Sequence, residues 1–160
     1  MRLRSPASGF TLIELVVTLA LVGLVALLSM PLFEITATRL REAELRAALR
    51  EIRAALDAYK TAVDTGIVPK SAAESGYPPS LDVLAAGVES PKSMTGRRVV
   101  FLRRVPRDPF SPDPTLEPSQ QWATRSYGSP PDDPQPGEDV FDVASRSPRK
   151  GLNGVAYREW

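Results

Sequence analysis

Hydrophobic and polar positions divide the chain into three materials. Residues 15–33, LVVTLALVGLVALLSMPLF, run without a charge. A helix rises 1.5 Å per residue, so this stretch would extend about 28 Å, close to the ~30 Å hydrocarbon core of a bilayer. An apolar surface all round a helix is foreign to water, and the run predicts a membrane-spanning helix. Residues 34–64 contain no Gly or Pro, and Leu45, Leu49, Ile52, Leu56, Tyr59 and Val63 recur at spacings of three and four. That period predicts an amphipathic helix with one buried stripe, closed at Asp64-Thr65-Gly66 by a glycine suited to a C-terminal cap.

After residue 64 the pattern breaks up. Fourteen of the sixteen prolines lie there. Residues 77–87 predict a short helix ended by Gly87, with Leu81 and Leu84 facing the long helix. Residues 97–110 read equally as a short strand or a helical turn. Residues 121–127, 140–145 and 155–160 predict strands separated by Pro- and Gly-rich turns. The expected fold class is therefore α+β: one long N-terminal helix packed on an antiparallel sheet of about three strands. Residues 108–120 and 130–138 predict loops.

Composition narrows the chemistry. The chain has 160 residues, no cysteine and no histidine, which excludes disulfides, thiolate nucleophiles, Cys/His zinc sites and a Ser-His-Asp triad. Twenty basic residues balance nineteen acidic ones, which argues against a general polyanion binder. A head of this size with one small sheet leaves little room for a catalytic pocket, so no enzyme activity is expected.

Glu14 is the one charged residue between Phe10 and Phe33. A carboxylate inside a bilayer costs roughly 2.5–3.5 kcal/mol on insertion scales and calls for a partner. Either it lies at the headgroups, or it has a functional partner from outside the apolar segment. Pro31 similarly reads as a tolerated kink or as a point of local helix extension. A cleaved secretory signal fits less well, because the apolar run is long and no small-x-small site follows it.

The residues before the run, Ser8-Gly9-Phe10-Thr11-Leu12-Ile13-Glu14 after a leader carrying Arg2 and Arg4, resemble the processing motif of type IV prepilins and type II secretion pseudopilins. The resemblance implies cleavage after Gly9 by a prepilin peptidase and N-methylation of Phe10. It also implies pairing of Glu14 with the terminal amine of Phe10 in a neighbouring subunit. Removing residues 1–9 leaves 18 basic against 19 acidic residues. The implied organisation is a leader (1–9), a transmembrane and fibre-core helix (10–33), its amphipathic continuation (34–64) and a periplasmic head (65–160).

The head, through residues 77–84, 102–109, Trp122, 140–145 and 154–160, is similar to that of the major pseudopilin of type II secretion. This implies a single-pass inner-membrane protein, N-terminus cytoplasmic and head periplasmic, that polymerises with itself and other pseudopilins on an inner-membrane assembly platform. The alternatives are a type IV pilin or minor pilin, including that of a DNA-uptake pseudopilus, and a membrane-anchored binding module that never polymerises. Major pseudopilins bind calcium near the C-terminus, and Asp132, Asp133, Glu138, Asp139 and Asp142 are this head's candidate ligands. The final loop, 146–151, is basic instead, and a solvated acidic loop is the plainer reading; no other cofactor is expected. Arg97, Arg98, Arg103, Arg104 and Arg107 form a basic cluster, read as a solvated or intersubunit surface rather than a nucleic-acid site.

Overall fold

The computed structural model describes residues 9–70, 75–91 and 98–160, with the side chains of residues 28–32 outside that set. The chain divides into two compact units, Met1–Arg39 and Leu40–Trp160. Helix α1, Leu12–Asp64, belongs to both.

Over residues 15–27 α1 is apolar on every side but for Thr18. Phe10, Leu12, Ile13, Leu19, Val22 and Leu27 are all exposed, as are the other large apolar residues described between them. Among the described residues no helix is long and apolar enough to cross a membrane. Of the expected span 15–33, residues 15–27 form the unbroken described part, about 20 Å of helix at 1.5 Å per residue. Residues 28–32, Pro31 among them, lie outside the described side chains.

The second unit holds the core. The stripe Leu45, Leu49, Ile52, Leu56, Tyr59 and Val63 is buried throughout, joined by Ala48, Ala55 and Ala62. The alanines sit on the same face and let the opposing segments approach. Helix α1 ends in a Schellman arrangement: Ile67 N–H donates to Ala62 O at 2.8 Å and Gly66 N–H to Val63 O at 2.9 Å. Gly66 takes φ 69°, a region that strains residues with a Cβ. The turn brings Val68 into the core. Helix α2, Leu81–Ala86, buries Leu81 and Leu84 as its three-residue spacing requires.

The α+β layout is as expected, but the strands are arranged differently from the single sheet anticipated. β1 (Val88–Glu89) pairs antiparallel with β2 (Arg98–Val99), and β3 (Trp122–Arg125) pairs antiparallel with β4 (Asp142–Ser145). These form two separate two-stranded sheets. The anticipated strand at 155–160 is instead a 3-10 turn, Tyr157–Glu159, beyond an isolated bridge between Lys150 and Ala156. In a strand, residues three apart face opposite sides; in a 3-10 helix they eclipse. The turn therefore brings the Tyr157 and Trp160 rings together edge-to-face, with centroids 5.0 Å apart, while Tyr157 stacks on Phe110 at 4.1 Å. Burial of the Tyr157 ring, with the partly buried Trp160 ring packed against it, prevails over β propensity here.

Candidate processing and assembly site

The N-terminal site begins at Gly9. A Cβ built there meets nothing within 4 Å among the described residues. Packing among the described residues does not call for glycine at position 9. Phe10 follows, 82% exposed.

Thr11 then caps the helix. Its Oγ1 accepts the Glu14 N–H at 3.3 Å, and its carbonyl accepts the Leu15 N–H at 3.2 Å. Thr11-Leu12-Ile13-Glu14 matches the Ser/Thr-x-x-Glu pattern of a capping box. That pattern is visible in the sequence and assigns Thr11 a role that the apolar run alone conceals. Glu14 thus occupies the third helical position, where the N-terminal end of the helix dipole favours an anion. Its carboxylate is exposed and has no hydrogen-bond or ion-pair partner among the described residues. The one described hydroxyl inside the apolar part, Thr18, satisfies itself by donating to Leu15 O at 2.9 Å.

In the second unit the structure disperses the acidic residues considered for calcium. Asp142 Oδ1 accepts Arg53 Nε at 2.8 Å and Oδ2 lies 3.8 Å from Arg125. Asp139 is buried and accepts the Tyr127 N–H; Asp133 accepts from the Gln135 side chain. Asp132 and Glu138 are exposed. Among the described residues no group of three or more such side chains is placed to hold a metal ion. Within the basic cluster, Arg103 and Arg104 are exposed, Arg107 donates to Pro114 O and Leu116 O, and Arg98 contacts Ala86 O. Arg97 lies outside the described residues.

The i,i+4 spacing of Glu42 and Arg46 predicts their pairing, but the anchoring roles of three polar residues in this unit lie beyond what that spacing predicts. Glu42, 4% exposed, accepts the Leu152 N–H at 2.7 Å and the Tyr157 hydroxyl at 3.2 Å, and lies 3.5 Å from Arg46. It continues the stripe three residues before Leu45, and a carboxylate on an apolar stripe was the signal available. Arg53 donates to Asp142, to Val143 O and to Trp160 O. Asp108, also buried, accepts the Phe110 N–H at 2.8 Å and the Ser145 hydroxyl at 2.6 Å. Arg53 gains its partners from 89 or more residues away and Asp108 gains Ser145 from 37 away, which no local pattern encodes.

Burial pushes the Tyr157 hydroxyl pKa up, reinforced by the Glu42 carboxylate. Burial likewise raises those of Tyr59 and Tyr77. The indole N–H of Trp160 is buried without an acceptor among the described residues; a group left so costs roughly 1–3 kcal/mol. The Arg46 guanidinium covers the Trp160 ring 4.3 Å from its centroid.

Comparison with known proteins bears on the first of these sites. Residues 4–30 match the family model of the prokaryotic N-terminal methylation motif, a type IV prepilin-like signal. Gly9, Phe10, Thr11 and Glu14 all fall inside the match. A signal of this class goes with prepilin-peptidase processing, membrane anchoring and assembly into pilus-like polymers in general. No curated protein and no solved structure matches the chain.

Proposed function

We propose that this chain is a pseudopilin: a single-pass inner-membrane subunit, cleaved after Gly9 and N-methylated at Phe10, that polymerises into a type II secretion pseudopilus. Residues 10–33 form the membrane and fibre-core segment, and the head lies in the periplasm. The observation that carries this reading is Glu14, an unpartnered carboxylate heading an all-round apolar helix inside the matched signal. In low dielectric a charge of this kind is tolerated only with its counter-charge present. The α-amine that cleavage would create at Phe10 of a neighbouring subunit is such a counter-charge. The requirement for both partners at once sets the register in which subunits add.

Type II secretion is favoured over a longer type IV pilin by the cysteine-free head, since many such pilins close a C-terminal loop with a disulfide. The work of the protein is assembly, with no reaction catalysed by the head. Two variants test the reading. Gly9→Ala abolishes maturation, seen as retention of the leader by mass spectrometry. Glu14→Ala matures normally but yields no fibres. Normal processing of the first, or normal fibres from the second, overturns the proposal.

A further inference from the structure

Two clefts open side by side on the second unit and share Arg53 and Trp160. The larger, about 1080 Å³, is lined by β3, β4, residues 131–134 and the C-terminal residues 158–160. The smaller, about 340 Å³, lies against α1. Arg46, Arg50, Arg53, Arg125, Arg146 and Arg158 line the pair, against three carboxylates, Asp132, Asp142 and Glu159. Six against three leaves a surplus of positive charge in a concave site, which concentrates anionic groups.

Part of that charge is already committed. Arg53 and Arg125 hold Asp142, and Arg46 pairs with Glu42, 3.5 Å away. Arg146 uses its Nε on Trp122 O. Arg158 reaches only its neighbour Glu159, 3.8 Å away with both side chains largely exposed. Arg50 has no hydrogen bond or ion pair among the described residues and is exposed.

The same head carries a matching anion. From residue 126 to residue 145 there is no Lys or Arg, and Asp132, Asp133 and Glu138 are exposed there. The loop is braced. Pro130, Pro131, Pro134 and Pro136 restrict φ. Ser129 donates its hydroxyl to Asp133 O and accepts the Gln135 N–H, and Ser126 N–H donates to Gln135 O. A loop shaped in advance loses little conformational entropy on docking. Pro131, Asp132 and Pro134 line the edge of the same chain's larger cleft, while Asp133 and Glu138 stand outside that lining.

We propose that the arginine-lined clefts around Trp160 receive the acidic loop, residues 131–138, of a second copy of this chain. Socket and prong share only the edge at Pro131, Asp132 and Pro134; the socket's arginines and the prong's Asp133 and Glu138 are different surfaces, so the contact is heterologous and repeats from subunit to subunit, as an open filament requires. The assignment rests on the polymerising reading above and adds a head-to-head contact to it.

The absence of cysteine makes an introduced pair an unambiguous reporter. The full chain carrying Arg158→Cys and Glu138→Cys is expressed in membranes and treated with a short bis-maleimide. The expected result is a ladder of subunit multiples, with neither single variant passing the dimer. Arg50→Glu in that background lowers the ladder at least about fivefold, and adding Asp132→Lys with Asp133→Lys restores it. These positions are exposed, and an unchanged proteolytic pattern shows that folding is intact. Fibres without a ladder overturn this contact and leave the polymerising reading standing. Neither fibres nor ladder overturns both. Cross-linking to a different protein or to nucleic acid in place of the ladder overturns the choice of a second copy.

Discussion

The Tyr157 hydroxyl donates to Glu42 Oε1 across 3.2 Å, joining residues 115 positions apart in the chain. The same oxygen accepts the Leu152 N–H at 2.7 Å. One buried carboxylate on α1 thus fixes both sides of the C-terminal turn. A Cβ at Gly151 would come within 2.6 Å of the Trp160 ring and 3.0 Å of Glu42 Oε1, so the clasp closes only over a glycine.

Truncating Glu42 leaves the Leu152 N–H and the Tyr157 hydroxyl without their acceptor. An unmet buried group costs about 1–3 kcal/mol. Glu42→Ala is expected to destabilise the head by at least that much and Glu42→Gln by less, since the amide oxygen still accepts. Chemical denaturation of the full chain, followed by tryptophan fluorescence, measures both. Equal stability of Glu42→Ala and the parent would show that the clasp contributes nothing.

Arg53 guards the free edge of β4. Val143 faces Thr124 in register, and its carbonyl accepts Arg53 while its N–H donates to Asp142. An exposed strand edge with open main-chain groups invites pairing with other chains. Arg53→Met keeps much of the packing and uncovers the edge. The ion pair is more than a third exposed on the arginine side and is worth little once screened. The expected loss is therefore about 1–2 kcal/mol, mainly from the two carbonyl contacts. Light scattering is expected to show aggregation below the melting temperature of the parent.

Alkaline pH weakens the head. Tyr59, Tyr77 and Tyr157 all have pKa values raised above 10.0 in the folded state, chiefly by burial. Their neutral form is therefore favoured by folding. The stability this confers is complete below pH 10, the unfolded value, and falls as pH rises from there through the folded values. Melting temperatures recorded from pH 8 to 11.5 should hold level and then drop. Tyr59→Phe removes one of the three groups and should flatten the decline; an unchanged slope counts against Tyr59 as a contributor.

Gly87 caps α2 at φ 75°, and a Cβ there would lie 2.8 Å from Val100 Cγ2 and 3.0 Å from Val99 O. Gly87→Ala combines left-handed strain of roughly 1–2 kcal/mol with a clash against backbone. We expect a loss of about 2 kcal/mol or more in denaturant unfolding. At Gly9, where a Cβ meets nothing, alanine should leave stability untouched while blocking processing.

What the sequence by itself determined is what lies along one helix or one turn. The stripe from Leu45 to Val63, the stop at Gly66 and the short helix with Leu81 and Leu84 are set by helical or turn spacing, and the motif from Gly9 to Glu14 is read by its resemblance to a prepilin signal. Local sterics and burial on one face suffice to specify the first three. Tertiary structure alone decided the rest. Residues 155–160 have strand composition, yet Tyr157 and Trp160 pack against each other, and a helical turn, here a 3-10 turn, puts residues three apart on one side where a strand does not. The five carboxylates between Asp132 and Asp142 look like one cluster in the chain. Folding sent Asp142 to Arg53 and Arg125, buried Asp139 under Tyr127 and left the others on a braced loop. Partners brought from 89 residues away leave no trace in local spacing, because a charge is satisfied by whatever the fold carries to it.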